Sequence, residues 1–208
     1  MLGISRRLKE SEEYLRQGKF QGWRPDLLLG DDVHHKTLGI IGMGEIGMEV
    51  AKRAQGFNME VLYNKRTPLS KSQEQEMGVK YADMEELLSS SDFISLHIPL
   101  TDKTHHLFGL EEFKQMKNTA YLINTSRGPV VNESVLVEAL DQRELTGAAL
   151  DVFEQEPKVH PGLLDREDCL LVPHIGSATS KCRNEMAEVA CKNVKAVLEG
   201  EQPPTPVQ

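Results

Sequence analysis

The chain has 208 residues, of which 39% are apolar and 27% charged, enough for one soluble domain with appendages and too few for two full domains. A net charge of −8 and no dense Lys/Arg stretch argue against an electrostatic nucleic-acid binder, and no run approaches the roughly 18 apolar residues of a membrane span. Three cysteines without metal-type spacing, Cys169, Cys182 and Cys191, fit a reduced cytoplasmic chain, and the charged first 24 residues do not read as a signal peptide.

In chain order, residues 1–18 read as helical. Strands are expected over 37–41, 60–63, 93–97, 120–123, 147–150 and 170–172, with helices over 46–55, 84–89, 110–116 and 133–140 between them. Several strands are continuous apolar runs, as expected when both faces of a sheet are covered. The alternation predicts an α/β fold, a doubly wound parallel sheet with helices on both faces. A last helix over 181–199 carries Met186, Ala190, Val194, Val197 and Leu198 on one stripe, and residues 200–208 read as an irregular tail.

The first strand runs into Gly42-Met43-Gly44-Glu45-Ile46-Gly47. Gly42 suits a tight turn out of the strand, Gly44 a close backbone approach to a pyrophosphate, and Gly47 a helix seated against the sheet, with the helix N-terminus facing the phosphates. The motif alone is weak, because glycines at turns are common. A preceding strand, a following helix and a second strand strengthen it. A site for NAD places Asp or Glu about 20 residues past the turn. This chain has Asn64-Lys65-Arg66 there, which removes repulsion toward a 2′-phosphate and supplies cations to pair with it. NADP(H) is therefore favoured, with NAD(H) as the alternative. A plain solvated loop is the competing reading of Lys65 and Arg66, and the charge of Glu45 beside the phosphate turn opposes the preference.

Four further segments follow: His97-Ile98-Pro99-Leu100-Thr101, Asn124-Thr125-Ser126-Arg127-Gly128-Pro129, Asp151-Val152-Phe153-Glu154-Gln155-Glu156-Pro157 and Pro173-His174-Ile175-Gly176. Taken singly, Arg127 reads as a surface arginine, Asp151 as a strand-end cap, Glu156 as a loop acid and His174 as a loop histidine. Taken together they fall at the ends of expected parallel strands, where a doubly wound sheet opens its ligand crevice. The adjacent pairs His34-His35 and His105-His106 match no ligand pattern and read as surface loops, so no metal site is expected.

With these five ordered motifs, residues from about Gly22 to Leu198 resemble the cofactor-binding part of the D-isomer-specific 2-hydroxyacid dehydrogenases, a Rossmann-type domain. Gly22-Trp23-Arg24-Pro25, the basic pair and Gly176-Ser177-Ala178-Thr179 lean toward the glyoxylate/hydroxypyruvate reductases among them. The resemblance implies an oxidoreductase that reduces a short 2-keto acid with a nicotinamide cofactor. It makes Arg127 the holder of the substrate carboxylate and carbonyl, His174 the proton donor and Glu156 the carboxylate paired with that histidine. Asp151 matches an aspartate near the nicotinamide carboxamide; Thr125, Ser126, Gly176 and Ser177 lie in cofactor-contact segments; Pro99, Leu100 and Thr104 belong to a loop passing under the cofactor.

The resemblance also divides the chain into a linking helix and dimer-arm-like segment (1–30), the dinucleotide-binding domain (31–176) and a C-terminal helix and tail (177–208) that in the family packs on a substrate domain. That substrate domain is built mainly from residues that would precede Met1. The expectation is an incomplete chain, a homodimer through its cofactor domains, which binds cofactor but turns over poorly alone. Two alternatives remain at this point: a dinucleotide-sensing module without significant turnover, and a D-3-phosphoglycerate or D-lactate type NAD dehydrogenase.

Overall fold

A computed structural model describes residues 1–206, so the last two residues of the expected tail, Val207 and Gln208, lie outside the described residues. Two units are present, Met1–Pro173 and His174–Gln208.

The first unit opens with α1 (Leu2–Ser5) and α2 (Leu8–Arg16), then a long irregular stretch. From there strands and helices alternate: β1 (Thr37–Ile41), α3 (Glu45–Ala54), β2 (Glu60–Asn64), α4 (Lys71–Met77), β3 (Val79–Tyr81), α5 (Met84–Ser90), β4 (Phe93–Leu96) and α6 (Leu110–Gln115). The unit closes with β5 (Tyr121–Asn124), α7 (Glu133–Asp141), β6 (Gly147–Leu150), α8 (Pro161–Leu164) and β7 (Cys169–Leu171). All neighbouring strands pair in parallel, in the order β3-β2-β1-β4-β5-β6-β7. The order reverses direction beside β1, which puts the switch point of the sheet between β1 and β4.

Alternation along each strand sends side chains to two separate cores. Leu38 and Ile40 of β1, Phe93 of β4 and Tyr121 of β5 join one cluster, while Ile41, Ile94, Leu96 and Leu122 join the other. Burial on both faces explains why these strands read as continuous apolar runs. Side chains fix the helix starts: Asp83 accepts from the Glu86 amide, Asn132 accepts from the Val135 amide, and Ser70 with Gln73 forms a reciprocal capping box.

The expected sheet is correct in type and has one strand more than expected. β3 and the preceding α4 escape sequence reading because Lys71–Met77 is almost wholly polar and β3 has only three residues. The single N-terminal helix expected over 1–18 is two helices. The chain breaks at Arg7, which has a positive φ of 51°, and the Ser5 carbonyl accepts from the distant Asp31 amide (2.8 Å). The Arg7 guanidinium, held by Glu10, reaches the Leu29 carbonyl (3.2 Å), so local helix propensity yields to contacts with residues 29–31. Phe20, Trp23 and Leu29 are exposed, Trp23 at 83%.

The second unit holds α9 (Ser180–Leu198), capped by the Thr179 hydroxyl, which accepts from the Cys182 amide (3.1 Å). Its tail is irregular, as expected, yet tied back: the Asn193 amide group donates to the Thr205 hydroxyl (2.7 Å) and its oxygen accepts from the Thr205 amide (3.0 Å). Among the described residues no helix is long and apolar enough to cross a membrane.

Candidate active site

In a sheet with every strand parallel, the C-terminal ends of the strands lie along one edge. That edge carries the Gly42 turn after β1, Asn64 at the end of β2, His97 after β4, the Asn124–Arg127 segment at the end of β5 and Asp151 after β6.

Gly42 has φ +97°, and a Cβ there would overlap the His97 carbonyl, so the loops after β1 and β4 meet directly at the switch point. Its amide donates to the Asn64 carbonyl (3.0 Å), which ties the end of β2 to the same turn. Gly47 lets α3 approach the Gly42 carbonyl more closely than any side chain would permit. A Cβ on Gly44 would instead project into open space at the start of α3. That helix has no side-chain cap, so its first-turn amides face outward at the positive end of a ten-residue helix. The residues fit a dinucleotide pyrophosphate on this observation: open room before uncapped amides, at the switch point of the sheet. Glu45 and Ile46 are exposed on the first turn.

The expected ribose-end residues are placed differently from one another. Asn64 spends its amide group on the Ala82 carbonyl (2.9 Å), which braces the strand end. Lys65 is half-buried and Arg66 exposed in the loop that follows. In the loop after β4, the Thr104 hydroxyl donates to the Pro99 carbonyl (2.7 Å) and accepts from the Thr101 amide (2.8 Å). Thr104 thus gives the 99–104 loop its shape, whatever else the loop touches. His97 pairs with the Ser95 hydroxyl (2.9 Å), and burial pushes its imidazole down to about 4.

Asn124 organises the arginine loop, a role the sequence did not reveal. Its buried Oδ1 accepts from the Ser126 amide (3.0 Å) and hydroxyl (2.8 Å), while its Nδ2 donates to the Arg127 carbonyl (3.0 Å). This is an Asx turn closed at both ends, and its only sequence signal is an Asn at a strand end before a polar loop. Arg127 itself is exposed, with its guanidinium donating to the Ser126 carbonyl (2.7 Å). Thr125 is exposed beside it, and Ser126 is buried.

Asp151 is buried, and its amide donates to the Asn124 carbonyl (3.0 Å), so the β5 and β6 ends are bonded through Asn124. Farther along, Glu156 accepts from the Phe153 amide (3.1 Å). The backbone of this loop is also held from α7. Glu133 accepts from the Glu154 amide (2.7 Å) and the His160 amide (3.3 Å), and Glu154 accepts from the Glu133 amide (3.1 Å). His106 completes the network at 2.7 Å from Glu154. It is therefore half-buried and bonded, a correction to its reading as a plain surface histidine, because the loops after β4 and β6 converge there.

His174, Gly176 and Ser177 open the second unit. His174 has a positive φ of 52°, and the Ala178 amide donates to the Ile175 carbonyl (2.9 Å) in the turn before α9.

With this geometry in hand, the similarities to known proteins are informative. Residues 1–176 match the family described as D-isomer specific 2-hydroxyacid dehydrogenase, NAD binding domain. The glyoxylate reductase of Thermococcus litoralis is 47% identical over 208 residues, an alignment that takes in 98% of this chain and 62% of that protein. A crystal structure of a Thermus thermophilus protein superposes with a TM-score of 0.92 at 45% identity, covering 100% of this chain and 65% of that one. That of a glyoxylate reductase from Paecilomyes thermophila gives 0.88 at 39% identity, covering 97% and 60%. The chain thus spans about 62% of the length of the T. litoralis relative.

Proposed function

The chain belongs to the D-isomer-specific 2-hydroxyacid dehydrogenase family, whose NAD-binding domain it carries, and from that premise we propose that it serves a reductase of short 2-keto acids such as glyoxylate or hydroxypyruvate. The observation that carries this reading is the shared sheet edge: an uncapped helix behind the Gly42 turn at the switch point and an Arg127 loop shaped by Asn124 both leave it, with one strand, β4, between theirs.

When bound, a reduced nicotinamide dinucleotide supplies the hydride. Gly42, Gly44, Glu45, Ile46 and Gly47 form the turn that would hold its pyrophosphate, with Thr125, Ser126, Asp151, Pro99, Thr104, Gly176 and Ser177 as further contacts proposed from the family resemblance. Lys65 and Arg66 favour NADP(H), since two cations and no acid follow β2. Asn64 contributes by bracing the loop's start.

Arg127 holds the substrate through its planar fork, which matches the two oxygens of a carboxylate. His174 holds the proton that passes to the carbonyl oxygen, converting the keto group to a hydroxyl as the adjacent carbon is reduced. Glu156 is proposed, on the family resemblance alone, as the catalytic carboxylate. The exposed Trp23 and Leu29 support a homodimer covering residues 20–30, and the reduced-thiol composition supports a cytoplasmic setting.

The test is to isolate the protein from its native cell, measure its intact mass, and assay NADPH-dependent reduction of glyoxylate and hydroxypyruvate. The expected result is saturable turnover that Arg127→Gln cuts by about 100-fold or more, in line with loss of a charged transition-state contact. Dinucleotide binding with no turnover on any short 2-keto acid would contradict the reductase reading.

A further inference from the structure

Directly after β2 runs a short loop, Lys65-Arg66-Thr67-Pro68, and it is fixed at both ends by groups outside it. At its start, Asn64 donates to the Ala82 carbonyl, and its own carbonyl accepts from Gly42. At its end stands Tyr63, the residue before Asn64, whose side chain is fully buried among the β2 and β3 neighbours and packs edge-on against Tyr81.

A phenylalanine would fill that core equally well. The hydroxyl is the difference, and a hydroxyl at this depth needs partners. It has two: it donates to Glu74 Oε1 (2.9 Å) and accepts from the Leu69 amide (2.8 Å). Both partners lie beyond the loop, Leu69 closing it just before the Ser70 cap and Glu74 within α4. Glu74 is itself buried, and its other oxygen meets Lys71 Nζ (2.7 Å), so the carboxylate stays ionised and the acceptor is a strong one. One hydroxyl therefore joins the strand, the end of the loop and the next helix, while proline fixes φ at the last loop position.

We propose that Tyr63 is a specificity-positioning residue, its hydroxyl latching the loop so that Lys65 and Arg66 are presented to a ribose 2′-phosphate already ordered. This rests on the reading that Lys65 and Arg66 meet that phosphate. A loop fixed beforehand loses less conformational entropy on binding. A dinucleotide lacking the 2′-phosphate makes no demand on the two cations, so the latch matters for NADPH and not for NADH.

The experiment measures dissociation constants of NADPH and NADH by calorimetry for the 208-residue chain, for Tyr63→Phe, for the double variant Lys65→Gln/Arg66→Gln, and for the triple combination. Tyr63→Phe is expected to weaken NADPH by about fivefold, the worth of one ordinary hydrogen bond, while NADH is unchanged. The triple variant is expected to bind NADPH no more weakly than the double. Glu74→Gln keeps an acceptor for the tyrosine and should retain the preference, whereas Glu74→Leu should reproduce the selective loss from the helix side, which covers the case in which Tyr63→Phe fails to fold. Equal weakening of both dinucleotides, or none, overturns the latch. If the double variant leaves NADPH binding unchanged, the phosphate assignment itself falls; if the double variant weakens NADPH and neither Tyr63→Phe nor Glu74→Leu does so, only the latch falls.

Discussion

The backbone of Phe153 occupies the space that a side chain on Gly128 would need: a Cβ there would overlap both the carbonyl carbon and oxygen of Phe153. The loop after β5, which carries Arg127, is thereby seated against the loop after β6, which carries Glu156. Gly128→Ala is expected to force the two loops apart and to cost about 1–3 kcal/mol of stability, the range for overpacking a closed site. Chemical denaturation of the two proteins measures this. An unchanged midpoint would show that the contact is looser than described.

The reciprocal pairing of Glu133 and Glu154 holds the second of these loops to the start of α7. Glu133 is buried, which pushes its carboxyl up, while two backbone amides work in the opposite direction. Glu133→Ala leaves the Glu154 and His160 amides without an acceptor and should destabilise the fold by about 1–3 kcal/mol. Hydrogen exchange should rise first over residues 153–160. A uniform rise across the sheet would argue against a local clamp.

Asn124→Ala removes the acceptor for Ser126 and the donor to the Arg127 carbonyl together. The expected loss is about 1 kcal/mol for each hydrogen bond, with faster amide exchange at Ser126. Retained protection at that amide would mean that the loop holds its shape without the Asx turn.

His97 supplies a pH dependence of definite sign. Its folded value of about 4 lies below the ordinary value of about 6.5, so between these the folded chain binds fewer protons than the unfolded one. The stability owed to keeping this imidazole neutral is complete above pH 6.5 and is lost as the pH falls through 4. An NMR titration of the His97 ring should show a midpoint near 4, and a midpoint near 6.5 would contradict the burial argument.

The sheet was legible in the sequence because strands covered on both faces leave continuous apolar runs, as in Thr37–Ile41 and Gly147–Leu150. β3 was not, since three residues after a polar helix leave no periodic signal. The glycine turn could be read in advance because Gly42 and Gly47 answer to contacts that exclude side chains. What stayed hidden were the side chains that shape loops: Asn124, Thr104, Glu133 and the Tyr63 hydroxyl each bond to backbone whose position only the fold defines. The break at Arg7 was hidden for the same reason, since its partners at Leu29 and Glu10 decide the local conformation.

The most direct measurement is a calorimetric titration of the 208-residue chain with NADPH and, separately, with NADH. The expected result is binding of both with one site per chain, NADPH the tighter, and loss of both in Gly42→Val, whose side chain would displace the His97 loop. Absence of binding to either dinucleotide by the folded chain would contradict the assignment of the Gly42 turn as a cofactor site.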